Sequence, residues 1–545
     1  MLNRNIGVII CSSSEELCSN LERLDIKEFC CQHPDISFVD WVDKQYLRNY
    51  ILSNITSQID GLLVLGNIDQ KHIDIWTDAL GNTDIPIFAC EFVSIKALPA
   101  VSSGEYVKLL INAFTAKILA GWEVAREAAP VSIVKMFEAI DNPVMNRRQF
   151  LKMPLKLGKY EEVPVINSKR CIVSSSSCQL CVDACPTGAL FKQDGSINIK
   201  NDKCVKCGWC TVSCPFGCIQ IPSFTGPAGM ALLEEMSPGT ALPNGLSLII
   251  SCAAGCEEIN KLRMDLSKTD TFINIRVPSL ASVSYLHLIR AVELGFSRII
   301  LLCPDINCPR QESLKKWEAM FTFVKELLEI HDMVSPLLLI HNKSDIFRLL
   351  NAQKVSHSIY KSKDQTKFNY SEQINYRLEF ARRLNNFIKN RTGEKTKYYD
   401  CPLPFFRISI NSERCSMCGS CWEKCPSRAI TLEKTSEGNI INFNYIQCIS
   451  CRTCMLNCAE DAISIEKVLD LACLDEANIV LKSDELLKCK GCNKTIGTRS
   501  LIERVNQSLA GKGWLSNAEK IYYCSNCQVM DIESQLQNYL FPIQK

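Results

Sequence analysis

A chain of 545 residues is too long for one ordinary domain; at about 100–200 residues per domain it divides into three to five. Its 47% hydrophobic and 22% charged composition is that of ordinary globular protein, it has no run of about twenty apolar residues to cross a membrane, and a formal charge of +2 argues against a general nucleic-acid binder. Thirty-two cysteines behind an opening, MLNRNIGVIICSSSEEL, that does not read as an export signal point to metal ligation in a cytoplasmic setting, not to disulfides.

Residues 1–130 read as alternating strands and helices. IGVIIC, ISFVDW, GLLVLG and IPIFAC are short runs rich in β-branched residues, with helical patterns such as SEELCSNLERL and KQYLRNYILSNI between them. That alternation implies a parallel sheet covered by helices. Cys11, Cys18, Cys30, Cys31 and Cys90 have no regular spacing and read as buried or incidental thiols. Residues 131–165 read as a linker; NRRQFLK within it is an internal basic stretch, not an export motif.

The first dense cysteine block falls in 166–225. CVKCGWCTVSCP supplies Cys204, Cys207, Cys210 and Cys214 with the C-x2-C-x2-C-x3-C-P spacing of bacterial ferredoxins. In such pairs of runs the first three cysteines hold one cubane and the fourth ligates the other. The expected sets are therefore Cys204, Cys207, Cys210 and Cys185 for one cluster, and Cys171, Cys178, Cys181 and Cys214 for the other. Cys171 is the irregular member, since six residues separate it from Cys178 instead of two. It is expected to ligate because three cysteines leave the set one short and the intervening loop can reach roughly 20 Å when extended. Cys218 lies outside the pattern and reads as a buried thiol.

Residues 240–350 read as a second α/β unit, with strands in LSLIISC, TFINIRV, RIILLC and PLLLIH. VSYLHLIRAVELG and QESLKKWEAMFTFVKELLEI supply its helices, and His287 on the first reads as a core residue. Cys252 and Cys256 follow its first strand, and Cys303 and Cys308 its third, where parallel sheets gather functional groups. Residues 351–405 read as a basic linker with a solvated helix.

The second block, 406–468, is regular: Cys415, Cys418, Cys421 and Cys425, then Cys448, Cys451, Cys454 and Cys458. Its expected clusters are Cys415, Cys418, Cys421 with Cys458, and Cys448, Cys451, Cys454 with Cys425. Residues 469–545 end in two C-x2-C knuckles, Cys489 with Cys492 and Cys524 with Cys527. Thiolates so spaced suit tetrahedral Zn2+, with an iron site or free thiols as alternatives. The fold class expected is multidomain α/β plus α+β, two parallel-sheet units alternating with two bacterial-ferredoxin-like modules and a small cysteine-knuckle domain. Four 4Fe-4S clusters, each about −2 with its thiolates, would bring the net charge from +2 to roughly −6.

The stretch IRVPSLASVSYLHLIRAVELGFSRIILLCPDINC, 275–308, resembles the delta subunit of methyl-viologen-reducing hydrogenase. That resemblance implies a 2Fe-2S cluster on Cys252, Cys256, Cys303 and Cys308, and electron flow towards heterodisulfide reductase. Two departures alter the set: Pro278-Ser279 stands where the family has a cysteine, and the opening pair is C-x3-C. A domain keeping the fold without the cluster is the alternative. IGVIICSSSEEL resembles the first domain of the heterodisulfide reductase A subunit, but no G-x-G-x-x-G follows a strand, and GPAGM at 226–230 is too short for a flavin fingerprint.

The motifs supply electron carriers and no recognisable catalytic constellation. The leading expectation is a cytoplasmic electron-transfer subunit, without catalysis of its own, in a heterodisulfide-reductase- or hydrogenase-like complex. Its partners would be flavin- or metal-containing oxidoreductase subunits and soluble ferredoxin. A self-contained redox enzyme, with substrate or flavin between the α/β units, and a redox-sensing interaction protein are the alternatives.

Overall fold

The structure, a computed structural model, describes residues 5–11, 20–43, 45–55, 59–66, 68, 70–80, 85, 89–94, 103–128, 163–237, 247–261, 272–304, 308–330, 336–341, 345, 348, 376–388, 397–475, 478–510 and 521–529. The chain forms two compact units, Met1–Cys171 with Leu180–Arg391, and Ile172–Gln179 with Thr392–Lys545. The basic stretch NRRQFLK, and Cys18, lie outside the described residues.

In the first unit, β1 (Ile6–Cys11), α1 (Asn20–Gln32), β2 (Ile36–Val42), α2 (Leu47–Asn54), β3 (Gly61–Gly66), α3 (Gln70–Leu80) and β4 (Cys90–Ser94) build a parallel sheet in the order β2-β1-β3-β4. β1 and β3 are buried at every position, as continuous apolar runs require when helices cover both faces. One expected strand is displaced. Of the described residues of IPIFAC only Cys90 lies in β4, whose pairing with β3 runs from Leu62↔Cys90 through CEFVS; residues 86–88 lie outside those described.

Helix α4 (Ser103–Ala128) leads out of this sheet. It meets a later helix through Ala116 and Ala120 on one side and Ala228 and Ala231 on the other. Side chains this small let two helices approach closely. Lys117, buried on α4, is neutralised by Glu91 at 2.6 Å, and its ammonium lies over the rings of Phe114 and Phe224. Tyr106 Oη donates to the carbonyl of Phe272 at 3.0 Å and so ties α4 to the second sheet.

The first cysteine block comprises β5 (Val165–Ile166), α5 (Leu180–Ala184), β6 (Leu190–Gln193), β7 (Ser196–Ile199), α6 (Trp209–Ser213) and β8 (Ile219–Gln220). GPAGM opens α7 (Gly226–Glu235), capped by Thr225 Oγ1, which accepts from the Ala228 N–H. The second sheet follows: β9 (Ser247–Ser251), α8 (Ala253–Lys261), β10 (Phe272–Arg276), α9 (Tyr285–Glu293), β11 (Arg298–Leu302), α10 (Gln311–Ile330) and β12 (Leu337–Ile340). Its order, β10-β9-β11-β12, repeats that of the first sheet.

The segment 351–405 is not simply a solvated linker. Its helix α11 (Tyr376–Ile388) buries Phe380, Ala381, Leu384 and Phe387 to 3% exposure or less. Its Arg383 is partnered inside the fold, as is Arg290 of the neighbouring α9. Arg383 pairs with Glu293 and with Glu379, and Arg290 pairs with Glu293 at 3.1 Å and Glu234 at 2.8 Å. A basic sequence thus becomes a core helix in part because α9 presents the buried carboxylate of Glu293 to Arg383. Breaking one such pair strands the other charge, which is where the energetic weight of the network lies.

In the second unit, β13 (Lys397–Tyr399), β14 (Phe406–Ile410), α12 (Ser420–Glu423), β15 (Ile430–Lys434), β16 (Gly438–Asn444), α13 (Thr453–Leu456), β17 (Ile463–Asp470), β18 (Asn478–Lys488), β19 (Thr495–Thr498) and α14 (Arg499–Ala510) form two antiparallel sheets, β13-β17-β14 and β15-β16-β18-β19. The expected boundary at 468/469 does not separate two cores. β18 pairs along β16 from Gly438↔Glu485 to Asn444↔Asn478, so the knuckle region shares a sheet with the ferredoxin module. No described helix is long and apolar enough to cross a membrane.

His287 is buried at the start of α9. Its Nδ1 accepts from the Ser284 N–H at 3.1 Å and its Nε2 donates to the Gly226 carbonyl at 3.1 Å, which fixes the neutral tautomer. Burial lowers its pKa from 6.5 to about 4. The unfolded chain therefore binds this proton first as pH falls, and stability is lost from pH 6.5 down to about 4. In chemical unfolding at stepped pH, His287→Gln should remove about 3 kcal/mol of that acid-side slope.

Candidate iron–sulfur and metal centres

The cysteine loops are built by residues with left-handed backbone. Lys206 (φ 57°) and Gly208 (φ 79°) flank Cys207, Met417 (φ 58°) and Gly419 (φ 99°) flank Cys418, and Ser450 (φ 62°) and Arg452 (φ 60°) flank Cys451. Alternation of this kind turns successive main-chain N–H groups to one side, a concavity that receives anions and iron–sulfur sites. The Lys206 N–H donates to the Cys204 thiol, that of Met417 to Cys415 and that of Thr453 to Cys451. At Gly208 a Cβ would also meet the Ser282 side chain at 2.6 Å, so the loop packs against the turn after β10.

The structure gathers these thiols crosswise. Cys204, Cys207 and Cys185 act on the buried Cys210, and one small pocket is lined by all four together with Pro164, Pro186 and Gly208. In the second unit Cys448, Cys451 and Cys425 surround Cys454, while Cys418 and Cys458 neighbour Cys415, and Cys415 and Cys418 neighbour Cys421. Burial pushes the Cys421 thiol up to about 12 and raises Cys454 and Cys210 as well. Cys185 behaves differently. Burial pushes it up, but the Leu190 N–H, the Thr187 hydroxyl and neighbouring amides together hold it below the ordinary thiol value. Burial disfavours free thiolates here, and the grouped residues fit 4Fe-4S clusters, whose iron would share the charge of the sulfurs.

Cys171 takes the place of Cys415. Asn167 Oδ1 accepts from the N–H groups of Lys169 and Arg170, and its carbonyl accepts from the Cys171 N–H. Asn411 does the same for Glu413, Arg414 and Cys415. The signal is in the sequence as NSKRC and NSERC, upstream of the cysteine and independent of cysteine spacing. Cys214 and Cys218 lie beside Cys171, and Cys181 neighbours Cys210. Cys178 belongs to Ile172–Gln179, which packs with the second unit, where the Ser177 N–H donates to Thr453 Oγ1 at 3.0 Å. Neither Ser177 nor Gln179 has the left-handed backbone of the regular runs.

Two cations outside the cysteine runs hold their loops, and sequence reasoning missed both. Arg310, two residues beyond Cys308, donates from Nε to the Val205 carbonyl and from Nη1 to the Pro278 carbonyl, each at 3.0 Å. Lys482 on β18 is buried and donates to the carbonyls of Ser412 at 2.9 Å and Cys415 at 2.6 Å, and to Ser500 Oγ at 2.8 Å. Neither stands in a motif, because each acts through distant main chain.

At the carboxyl end of the second sheet, Cys252 follows β9, Cys256 lies in α8, Cys303 follows β11 and Cys308 precedes α10. Cys256 Sγ accepts from Asn274 Nδ2 at 3.4 Å and lies 3.3 Å from Ser251 Oγ. Cys303 is 6% exposed, and its carbonyl meets His341 Nδ1 at 3.2 Å. Among the described residues these four do not draw into a group tight enough for a single ion.

Cys489, Cys492, Cys524 and Cys527 do, with all four Sγ within 4.8 Å of one another. Zn–S bonds of about 2.3 Å put tetrahedral sulfurs roughly 3.8 Å apart, so the donor set fits zinc. The Cys524 N–H donates to Cys489 Sγ at 3.2 Å, the chief reason that this thiol is held near 6, already ionised at neutral pH. Gly491 keeps the centre open, since a Cβ there would stand 3.1 Å from Cys527 Sγ.

Comparison with known proteins agrees with the cysteine geometry. Residues 407–459 match the 4Fe-4S dicluster domain and residues 197–220 the 4Fe-4S binding domain. The chain is 43% identical over 88 residues to the putative oxidoreductase AegA of Escherichia coli, covering 15% of this chain and 13% of that protein. It is 29% identical over 106 residues to the uncharacterized ferredoxin MJ0265 of Methanocaldococcus jannaschii, covering 19% and 52%. It is 31% identical over 55 residues to the electron transport protein HydN of Escherichia coli, covering 9% and 31%. The chain thus spans about half or less of the length of each of these relatives.

A mutation separates the knuckle centre from the iron sites. Cys492→Ser should abolish one equivalent of zinc while leaving iron and sulfide at wild-type levels, read by elemental analysis of anaerobically purified chain. Zinc retention in that variant would show that the four thiols do not act as one site.

The chain is a mixed α/β protein with parallel sheets and two 4Fe-4S ferredoxin-type domains.

Proposed function

We propose that this chain is an electron-transfer subunit that relays electrons between partner subunits of a heterodisulfide-reductase- or hydrogenase-like oxidoreductase complex in the cytoplasm. The observation that carries the proposal is the crosswise gathering of thiols, Cys185 with Cys204, Cys207 and Cys210, and Cys425 with Cys448, Cys451 and Cys454. A 4Fe-4S cluster supplies one-electron transfer when bound. The protein's part is to group the thiolates, aim amides at sulfur and exclude water, which together set the potential. Four clusters are proposed on the sets read from the sequence, with zinc in the knuckles. The names of the matched relatives, an electron transport protein and a putative oxidoreductase, are consistent with oxidoreductase partners, proposed here to be flavin- or metal-containing subunits or a soluble ferredoxin.

The altered site at Cys252, Cys256, Cys303 and Cys308 is proposed to hold a 2Fe-2S cluster. The alternative is a self-contained redox enzyme with a substrate or flavin site between the α/β units. Bound flavin in the purified chain, or turnover without partners, would select it.

The test is anaerobic iron and sulfide analysis with EPR of the reduced chain, followed by stopped-flow oxidation with a viologen or ferredoxin. About sixteen or more irons and cluster oxidation within the mixing experiment are expected. Fewer than about eight irons after anaerobic reconstitution would sink the relay.

A further inference from the structure

Cys218 is buried against two of the proposed ligands in the first unit. Its Sγ is in hydrogen-bond contact with Cys171 and Cys214, and its N–H donates to Cys214 Sγ at 3.3 Å. The internal repeat defines its position. The Asn167 N–H donates to the Cys218 carbonyl at 2.7 Å as the Asn411 N–H donates to the Ala462 carbonyl at 2.8 Å. The Ala462 N–H in turn donates to Cys458 Sγ at 3.2 Å. The second module therefore places a methyl group where the first places a thiol. The module with the additional thiol is also the one whose first run is lengthened between Cys171 and Cys178 and lacks left-handed residues on either side of Cys178.

We propose that Cys218 is a reserve thiolate ligand to the cluster held by Cys171 and Cys214, able to take over the iron that Cys171 binds. The inference rests on the two-cluster reading of this module and deepens it. In the exchange the S–H bond of Cys218 breaks and its sulfur bonds iron. The bond from iron to Cys171 breaks, and the Cys171 sulfur takes up the proton. No electron changes hands, and iron and sulfide stay constant. Contact of Cys218 with both sulfurs gives that proton a direct path.

The experiment uses the full chain purified without oxygen as Cys171→Ala, Cys218→Ala and the double variant, with iron and sulfide per chain and EPR after dithionite reduction. Each single variant should keep wild-type iron, Cys171→Ala with a changed EPR signal, and the double should lose about four irons. The proposal is overturned if Cys171→Ala alone loses as much as the double, or if the double keeps all its iron. Zinc content and the EPR signals of the second module report whether each variant is folded. Should the double alanine chain not fold, Cys218→Ser in the Cys171→Ala background replaces it, since an oxygen ligand shifts the EPR signal and an unshifted signal overturns the proposal. Cys181→Ala, at a proposed ligand outside the contacts of Cys218 given above, separates the two levels. Wild-type iron in that variant would mean the cluster assignment has failed; a loss of about four irons there, with equal losses in Cys171→Ala and the double, overturns only the reserve role.

Discussion

A thiolate taken out of water needs hydrogen-bond donors, and the nearest are the amides of its own loop. That requirement shapes the regular cysteine runs of this protein. Lys206, Met417, Ser450 and Arg452 hold left-handed backbone without being glycine, at a cost of roughly 1–2 kcal/mol each. The cost is tolerable because the same geometry aims N–H groups at Cys204, Cys415 and Cys451, and bonds to a charged acceptor are among the stronger ones. Hydrophobic burial alone would not select these conformations. The need to solvate sulfur does.

The surroundings of the loops follow from that need. Each ferredoxin module is held from outside by a cation on its main-chain carbonyls, Arg310 at Val205 and Lys482 at Ser412 and Cys415. Carbonyls point the opposite way from the amides, so a loop that turns its donors inward presents its acceptors outward. A positive side chain is the natural partner for them. Farther out, the first unit encloses other charges: Lys117 with Glu91 on α4, and Arg290 and Arg383 with Glu234 and Glu293 among α7, α9 and α11.

Much of this architecture is visible in the sequence, and the failures are physical. The buried strands of both parallel sheets announce themselves through unbroken runs of Val, Ile and Leu, and α10 coincides with its apolar period. The edge strand β4 does not, because its register with β3 governs it more than its own hydrophobicity. Helix α11 reads as solvated because Arg383 looks surplus until α9 places Glu293 beside it. The cysteine runs are legible because spacing is chemistry there. Cys218 is not, since its contacts come from the pairing of β5 with β8 and not from spacing. Arg310 and Lys482 bind main-chain carbonyls, an interaction with no residue-type signature.

The Arg310 brace has a consequence for the order of assembly. Val205 lies 105 residues before Arg310, and Pro278 lies 32 before it. Closing a contact over such a separation comes late, after the intervening loops have given up their entropy. The loop of Cys204–Cys210 therefore reaches its final seat only once β10 and the start of α10 have been synthesised and folded. A nascent chain that has just completed its first cysteine block still lacks Pro278 and Arg310, so these contacts to the ligand loop become available only after the following chain has been made.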